Sequence, residues 1–82
     1  MNDTELKKLL AKMLPDGERR IAHAMDTELL HLCSLAIRAL NPIERDCYVT
    51  EILGATPGWT VDVIDATWQQ RTEALAKAKG LI

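Results

Sequence analysis

The stretch from Glu18 to Leu40 constrains the fold most, because it holds 23 residues without a glycine or a proline. Apolar residues recur in it at helical spacing, and beyond Asp26 they surround the helix axis on nearly every side. The one polar strip is formed by Glu28, His31, Ser34 and Arg38. A helix that is apolar on most faces is packed on most faces, so this stretch predicts a central hydrophobic helix. Because Asp26-Thr27 is a favourable cap, the pattern fits either one helix over 18–40 or two with a break near Asp26.

The helix before this stretch is predicted over Asp3–Leu14. Leucines at helical spacing, together with Met13, form one apolar face, and the lysines lie on the opposite side (Lys7, Lys8 and Lys12). Asn2 with Glu5 three residues later has the pattern of a capping box, and Asp3 and Thr4 are the alternative caps. Pro15 ends this helix, because the residue before a proline disfavours helical backbone.

Two further helices follow the central one. The third helix begins at Pro42 after the cap Asn41, carries Glu44 at its third position and ends at Gly54. The last helix is predicted to be capped by Thr60 and to end at Gly80. Trp59 and Ile64 have the spacing of a hydrophobic staple across the start of that last helix.

These elements predict an all-α protein: a small four-helix bundle, orthogonal in part, that forms one helical domain over residues 1–82. Of the residues, 48% are apolar, built almost wholly from aliphatic side chains, and there is no phenylalanine. A chain this short buries only about 60% of the surface that its unfolded form exposes. Part of this apolar content is therefore expected on the surface, where a contiguous patch marks a partner site.

The cysteines and the apolar runs bear on the compartment. Cys33 and Cys47 lie among apolar residues, which favours buried free thiols in a reducing compartment over one disulfide. No secretory signal pattern precedes the first helix, and no apolar run approaches the ~20 residues needed to span a bilayer. We therefore expect a cytoplasmic protein without a membrane span.

No stretch of the sequence carries a complete catalytic, metal-binding or phosphate-binding pattern. Glu28 and His31 have the spacing of a di-iron bundle motif, but such a site needs two copies and further carboxylates, and the chain has one copy. The cysteines lie where a thiol is inert, and the glycines stand singly, without a phosphate-binding loop. The sequence thus predicts no catalytic residue, no metal site and no cofactor, and a protein that is not an enzyme.

An alternative function lies in residues 42–70. The segment Glu51–Val61 places a helix ending at Gly54 before a turn and a second helix that starts near Thr60. It is similar to helix–turn–helix segments of bacterial regulators, including the last part of sigma-factor region 4, which implies a DNA-binding transcriptional regulator. It departs from that pattern in its loop, which Trp59 makes a residue too long, and in the first helix, which leaves little room for a preceding one.

The charge of this segment argues against DNA. The recognition positions implied by the resemblance are Val61, Asp62, Val63, Asp65 and Ala66. Acidic side chains there would face the phosphates, which repel them. Residues 26–65 carry two basic and seven acidic side chains, whereas a DNA-binding surface needs clustered cations. Nucleic-acid binding is therefore kept as the alternative.

Protein binding is the main prediction. Trp59, beside the Pro57-Gly58 turn, is either a staple or an exposed anchor, and tryptophan is enriched among interface hot spots. Tyr48 and Met13 are the residues predicted to join it in an apolar surface. We therefore expect a non-enzymatic regulatory, inhibitory or accessory subunit that docks a helical surface on another protein, on a second copy of itself as a homodimer, or on both.

Overall fold

The computed structural model describes residues 1–55 and 66–82. Those ranges contain five helices and no strand, so the all-α class is confirmed, with one helix more than the predicted four. The helices are α1 (Asp3–Lys12), α2 (Gly17–Ile21), α3 (Asp26–Arg38), α4 (Pro42–Ala55) and α5 (Trp68–Ala78). None of the described helices has both the length and the apolar character needed to cross a bilayer.

Local capping sets the start of α1 and of α4. The Asn2 Oδ1 atom accepts a hydrogen bond of 2.9 Å from the Glu5 backbone N–H. Asn41 and Glu44 form a reciprocal capping box, in which each side chain accepts from the other residue's backbone N–H, at 2.8 and 3.1 Å. Each cap satisfies N–H groups that have no partner inside the helix. At its other end α4 continues through Gly54 to Ala55, so the predicted end at Gly54 is one residue short.

The stretch over 18–40 forms two helices, with the break near Asp26 that the sequence allowed. The residue preceding α3 is Met25, whose extended backbone (φ −89°, ψ 171°) starts the helix without a side-chain cap bond. Asp26 is therefore the first residue of α3 and not its cap.

The short helix α2 packs closely on α1. A chain reversal precedes it at Asp16, which has the left-handed φ of 55°. Gly17 follows, and a Cβ atom added there would lie 2.6 Å from both the Cα and the carbonyl carbon of Ala11. Only a residue without a Cβ fits at this distance, so Gly17 lets α2 lie against the backbone of α1.

The helix with the widest set of neighbours in the described chain is α5, which packs against α1, α3 and α4. Leu75 and Thr72 of this helix are fully buried. The expectation that residues 18–40 supply the central helix is not confirmed, because Leu30, Leu35 and Ile37 of α3 are only partly buried. The larger core side chains come from four helices and from Leu40, which lies between α3 and α4; they include Leu6, Leu10, Leu29, Leu32, Leu40, Tyr48, Ile52, Trp68 and Leu75.

The last helix begins later than predicted. Ala66 and Thr67 are not helical, and Thr67 caps α5 through a reciprocal box with Gln70, at 3.0 and 3.1 Å. A single helix from Thr60 is therefore wrong at 66–67, where the chain enters α5 in extended conformation. Thr60 and the Trp59–Ile64 staple lie outside the described residues.

The predicted end of that helix is confirmed. Gly80 has a φ of 73°, and the hydrogen bonds Gly80 N to Lys77 O (3.1 Å) and Leu81 N to Ala76 O (2.8 Å) form a Schellman motif. Lys79 reaches Glu44 of α4 at 3.5 Å, so the end of α5 is also held to α4 by an ion pair.

Candidate functional site

A groove with a volume of about 520 Å³ lies between α1 and α2. Its lining residues are Thr4, Lys7, Lys8, Ala11, Lys12, Glu18, Ile21 and Ala22. The lining is mostly apolar, because the lysines contribute their methylene stems as well as their charged heads. We name this feature the α1–α2 groove.

One face of α1 forms the wall of the α1–α2 groove. The α1 residues in the lining follow the spacing i, i+3, i+4, i+7 and i+8 from Thr4, which places them on one side of the helix. Leu6 and Leu10 lie on the other side and are buried in the core. Eight residues rise about 12 Å along a helix axis, so the wall is about two turns long. Ile21 and Ala22 supply apolar surface from the α2 side.

The cations along this wall are available to a ligand. Lys8 and Lys12 are exposed, and the Lys7 Nζ atom lies 6.0 Å from the centroid of the Trp68 ring, in cation–π range. Among residues 1–55 and 66–82, no carboxylate forms an ion pair with any of these three ammonium groups.

The lysines of α5 differ from those of the groove. Lys77 lies 3.6 Å from Glu51 and 3.4 Å from Glu73, and Lys79 is paired with Glu44. The cations at the end of α5 therefore already have carboxylate partners, whereas those of the α1–α2 groove have none in the described chain.

The structure describes two of the three residues predicted to bind a partner, Tyr48 and Met13. Tyr48 is only 4% exposed and belongs to the core, so it does not present the surface ring that was expected. Burial raises the pKa of Tyr48 to about 12, against the opposing charge of Arg71. Met13 is partly buried against the same core, and Trp59 lies outside the described residues.

The two cysteines have different environments. Cys33 is fully buried, and its Sγ atom lies 3.4 Å from the Thr72 hydroxyl and donates to the Trp68 carbonyl oxygen at 3.7 Å. Burial raises the pKa of the Cys33 thiol, which favours its protonated form. Cys47 is a free, exposed thiol, so the expectation that both are buried is wrong for Cys47. Tyr48 and Ile52 are buried residues of α4, whereas Ile43, one turn before Cys47, is exposed with it.

The structure describes residues 42–55 and 66–70 of the segment predicted to bind DNA, and Ala66 is the described recognition position. Ala66 was a predicted recognition residue, but it is 3% exposed and not helical. Thr67 starts α5 as its cap, so the expected recognition helix does not continue through these residues. The other recognition positions lie outside the described residues.

The positions predicted for a metal site are both at the surface. Glu28 and His31 are exposed on α3. Within the described ranges, no group of three or more histidine, cysteine or acidic residues is placed to hold a metal ion.

The sequence pattern did not reveal the α1–α2 groove. It assigned Lys7, Lys8 and Lys12 to the side of the first helix opposite its apolar face. A signal was present in Ala11, a small apolar residue inside the lysine face, which leaves space for a neighbouring backbone.

Comparison of this chain with known protein families, with curated proteins and with solved structures finds no significant match in any of the three.

Proposed function

We propose that this chain is a non-enzymatic interaction protein, which binds another protein through the α1–α2 groove. The main support for the proposal is the α1–α2 groove itself. It is mostly apolar, it has a volume of about 520 Å³, and its lysines have no carboxylate partner in the described chain. Concave apolar surface with a few charged groups at its edge is typical of binding sites. A regulatory, inhibitory or accessory role follows from such binding.

The size of the groove supports a protein segment as its ligand. Its wall extends over about two helical turns, which is the span of the two or three side chains that anchor a docked helix. Ala22 is exposed at the end of α2, so a partner reaches the groove without displacing the core.

A matched pair of variants tests this proposal. Ala22→Tyr places a bulky ring in the groove, whereas Ala39→Tyr adds the same ring at an exposed alanine that likewise follows a helix, α3. Each variant and the parent chain are used as bait in extracts of the source cells, and every captured protein is then purified and its affinity for each bait is measured by calorimetry.

The expected result is a partner that binds the parent chain and Ala39→Tyr with equal affinity and binds Ala22→Tyr at least about tenfold more weakly, which corresponds to about 1.4 kcal/mol. If every partner binds Ala22→Tyr as tightly as Ala39→Tyr, the α1–α2 groove is not the binding surface and the proposal is wrong. Titration of both variants with random duplex DNA at low and moderate salt tests the alternative function, for which a steep salt dependence is the signature.

A further inference from the structure

The charges along the α1–α2 groove indicate which kind of segment occupies it. We infer that the occupant is an acidic amphipathic helix of a partner protein, with apolar side chains in the groove and carboxylates facing Lys7, Lys8 and Lys12. This inference rests on the proposed function and adds the chemistry of the partner. It is drawn from the placement of the three lysines relative to the apolar lining.

The lysines are distributed along the groove and not gathered at one end. Lys8 and Lys12 are four residues apart on α1 and thus one turn apart, and Lys7 lies beside Lys8 nearer the start of the helix. A small amphiphile with one terminal carboxylate would use one of these cations. A helix with acidic residues on successive turns would meet all three, because its own charges repeat with the same rise.

The position of Lys7 also favours an occupant that follows α1. Its ammonium group lies 6.0 Å from the centroid of the Trp68 ring of α5, and the Lys7 side chain is also part of the groove lining. Glu18 is the one acidic residue in the lining, opposite the lysine side, and an occupant helix with a neutral or basic residue at that edge would avoid repulsion there. Charged residues along a groove determine mainly the specificity and the orientation of binding, whereas the apolar contacts supply most of the affinity.

The test uses three synthetic peptides of about 18 residues, long enough to form a helix. The first peptide has leucines at i, i+4 and i+7 with glutamates beside them. The second replaces the glutamates by lysines, and the third keeps the glutamates but replaces the leucines by serines. Binding to the intact chain is followed by calorimetry and by the NMR shifts of Ala11, Ile21 and Ala22, at about 0.02 M and about 0.5 M salt.

The matched protein variants are Lys8→Gln/Lys12→Gln, which removes two exposed groove cations, and Arg38→Gln/Arg45→Gln, which removes two exposed cations outside the groove lining. We expect the glutamate–leucine peptide to bind at the groove, and the other two peptides to bind at least about tenfold more weakly. The affinity of the glutamate–leucine peptide should fall about fivefold or more for the Lys8→Gln/Lys12→Gln variant, and likewise in high salt. For the Arg38→Gln/Arg45→Gln variant it should fall by less than about twofold.

Three outcomes overturn the inference. Equal binding of the lysine–leucine peptide shows that the groove does not select acidic segments, and binding of the serine peptide shows that it does not need apolar anchors. If sedimentation shows a dimer that Ala22→Tyr abolishes, a second copy of the chain is the occupant. In each case the proposed function would still hold if a natural partner binds Ala22→Tyr more weakly than Ala39→Tyr. Failure of this inference can therefore be distinguished from failure of the proposed function.

Discussion

The contact between α1 and α2 predicts that Gly17→Ala destabilises the protein, against the general preference of helices for alanine. Alanine is favoured over glycine inside a helix by about 1 kcal/mol at most, part of which comes from the lower entropy of the unfolded chain. At Gly17 the new Cβ atom would overlap the carbonyl oxygen of Ala11, and it would lie 2.6 Å from the Cα and the carbonyl carbon of Ala11, where ordinary contact begins near 3.4 Å. Because these are backbone atoms, α2 must move away from α1 by about 1 Å.

Overpacking costs about 1–3 kcal/mol, and a clash with backbone atoms belongs to the upper part of that range, about 2–3 kcal/mol, which exceeds the gain from helix propensity. The expected net loss in the free energy of unfolding is therefore about 1–2 kcal/mol, which lowers the midpoint of thermal unfolding by about 5–15 °C for a chain of this size. Calorimetry and urea unfolding measure both quantities. The variant should also lose affinity for the glutamate–leucine peptide, because α2 carries one side of the groove.

The control is Gly54→Ala, at a glycine where an added Cβ meets no atom of the described residues within 4 Å. Gly54 lies inside α4 and its φ is not in the left-handed region, so alanine should raise the free energy of unfolding there by about 0.5–1 kcal/mol. The two glycines thus predict opposite signs for one chemical change. A Gly17→Ala variant that is as stable as the parent chain would show that α2 does not lie this close to α1, and the groove built on that contact would fall with it.

Three further results follow from single residues. The pKa of Tyr48 should be about 12 in the folded chain and near its ordinary value of 10.0 in urea. The contribution of Tyr48 to the free energy of unfolding is therefore full below pH 10 and declines as the pH rises from 10 towards 12. Absorbance of the tyrosinate measures the titration, and ionisation near pH 10 in the folded protein would contradict the burial of the ring. A thiol reagent should modify Cys47 rapidly and Cys33 only on unfolding, so that one thiol reacts in buffer and two in denaturant, and none reacts rapidly in Cys47→Ser. Gly80→Ala should lower the free energy of unfolding by about 1–2 kcal/mol in urea, because its φ of 73° is unfavourable for a residue with a Cβ; no loss would mean that the Schellman turn is not formed.

Features that depend on a few neighbouring residues were predictable from the sequence. Asn41 caps α4 as expected, and it forms a capping box with Glu44 because both partners lie within one helical turn. The start of the last helix was predicted at Thr60, whereas the cap of α5 is Thr67; both are threonines, a residue type favoured at caps. Thr67 is followed by Gln70 three residues later, which is a capping-box pattern, and this second signal identifies it as the cap of α5.

Features that depend on packing between distant residues were not predictable in this way. The sequence made residues 18–40 the central helix because large apolar side chains surround it. In the structure α5 has contacts with three other helices, and its buried surface includes small residues such as Ala74 and Ala76. Alanine adds little to an apolar pattern, but it lets neighbouring backbones come close, which is why α5 packs so widely.

The α1–α2 groove combines both kinds of feature. The lysine face of α1 could be seen in the sequence, but its meaning depends on where α2 lies, and this depends on the left-handed Asp16 and the missing Cβ of Gly17. Together they reverse the chain and bring α2 against α1, which turns a solvated helix face into one wall of a groove. The binding proposed for the groove therefore depends on Gly17, although Gly17 does not line the groove. A substitution at Gly17 should lower the affinity for the partner even though no lining residue changes.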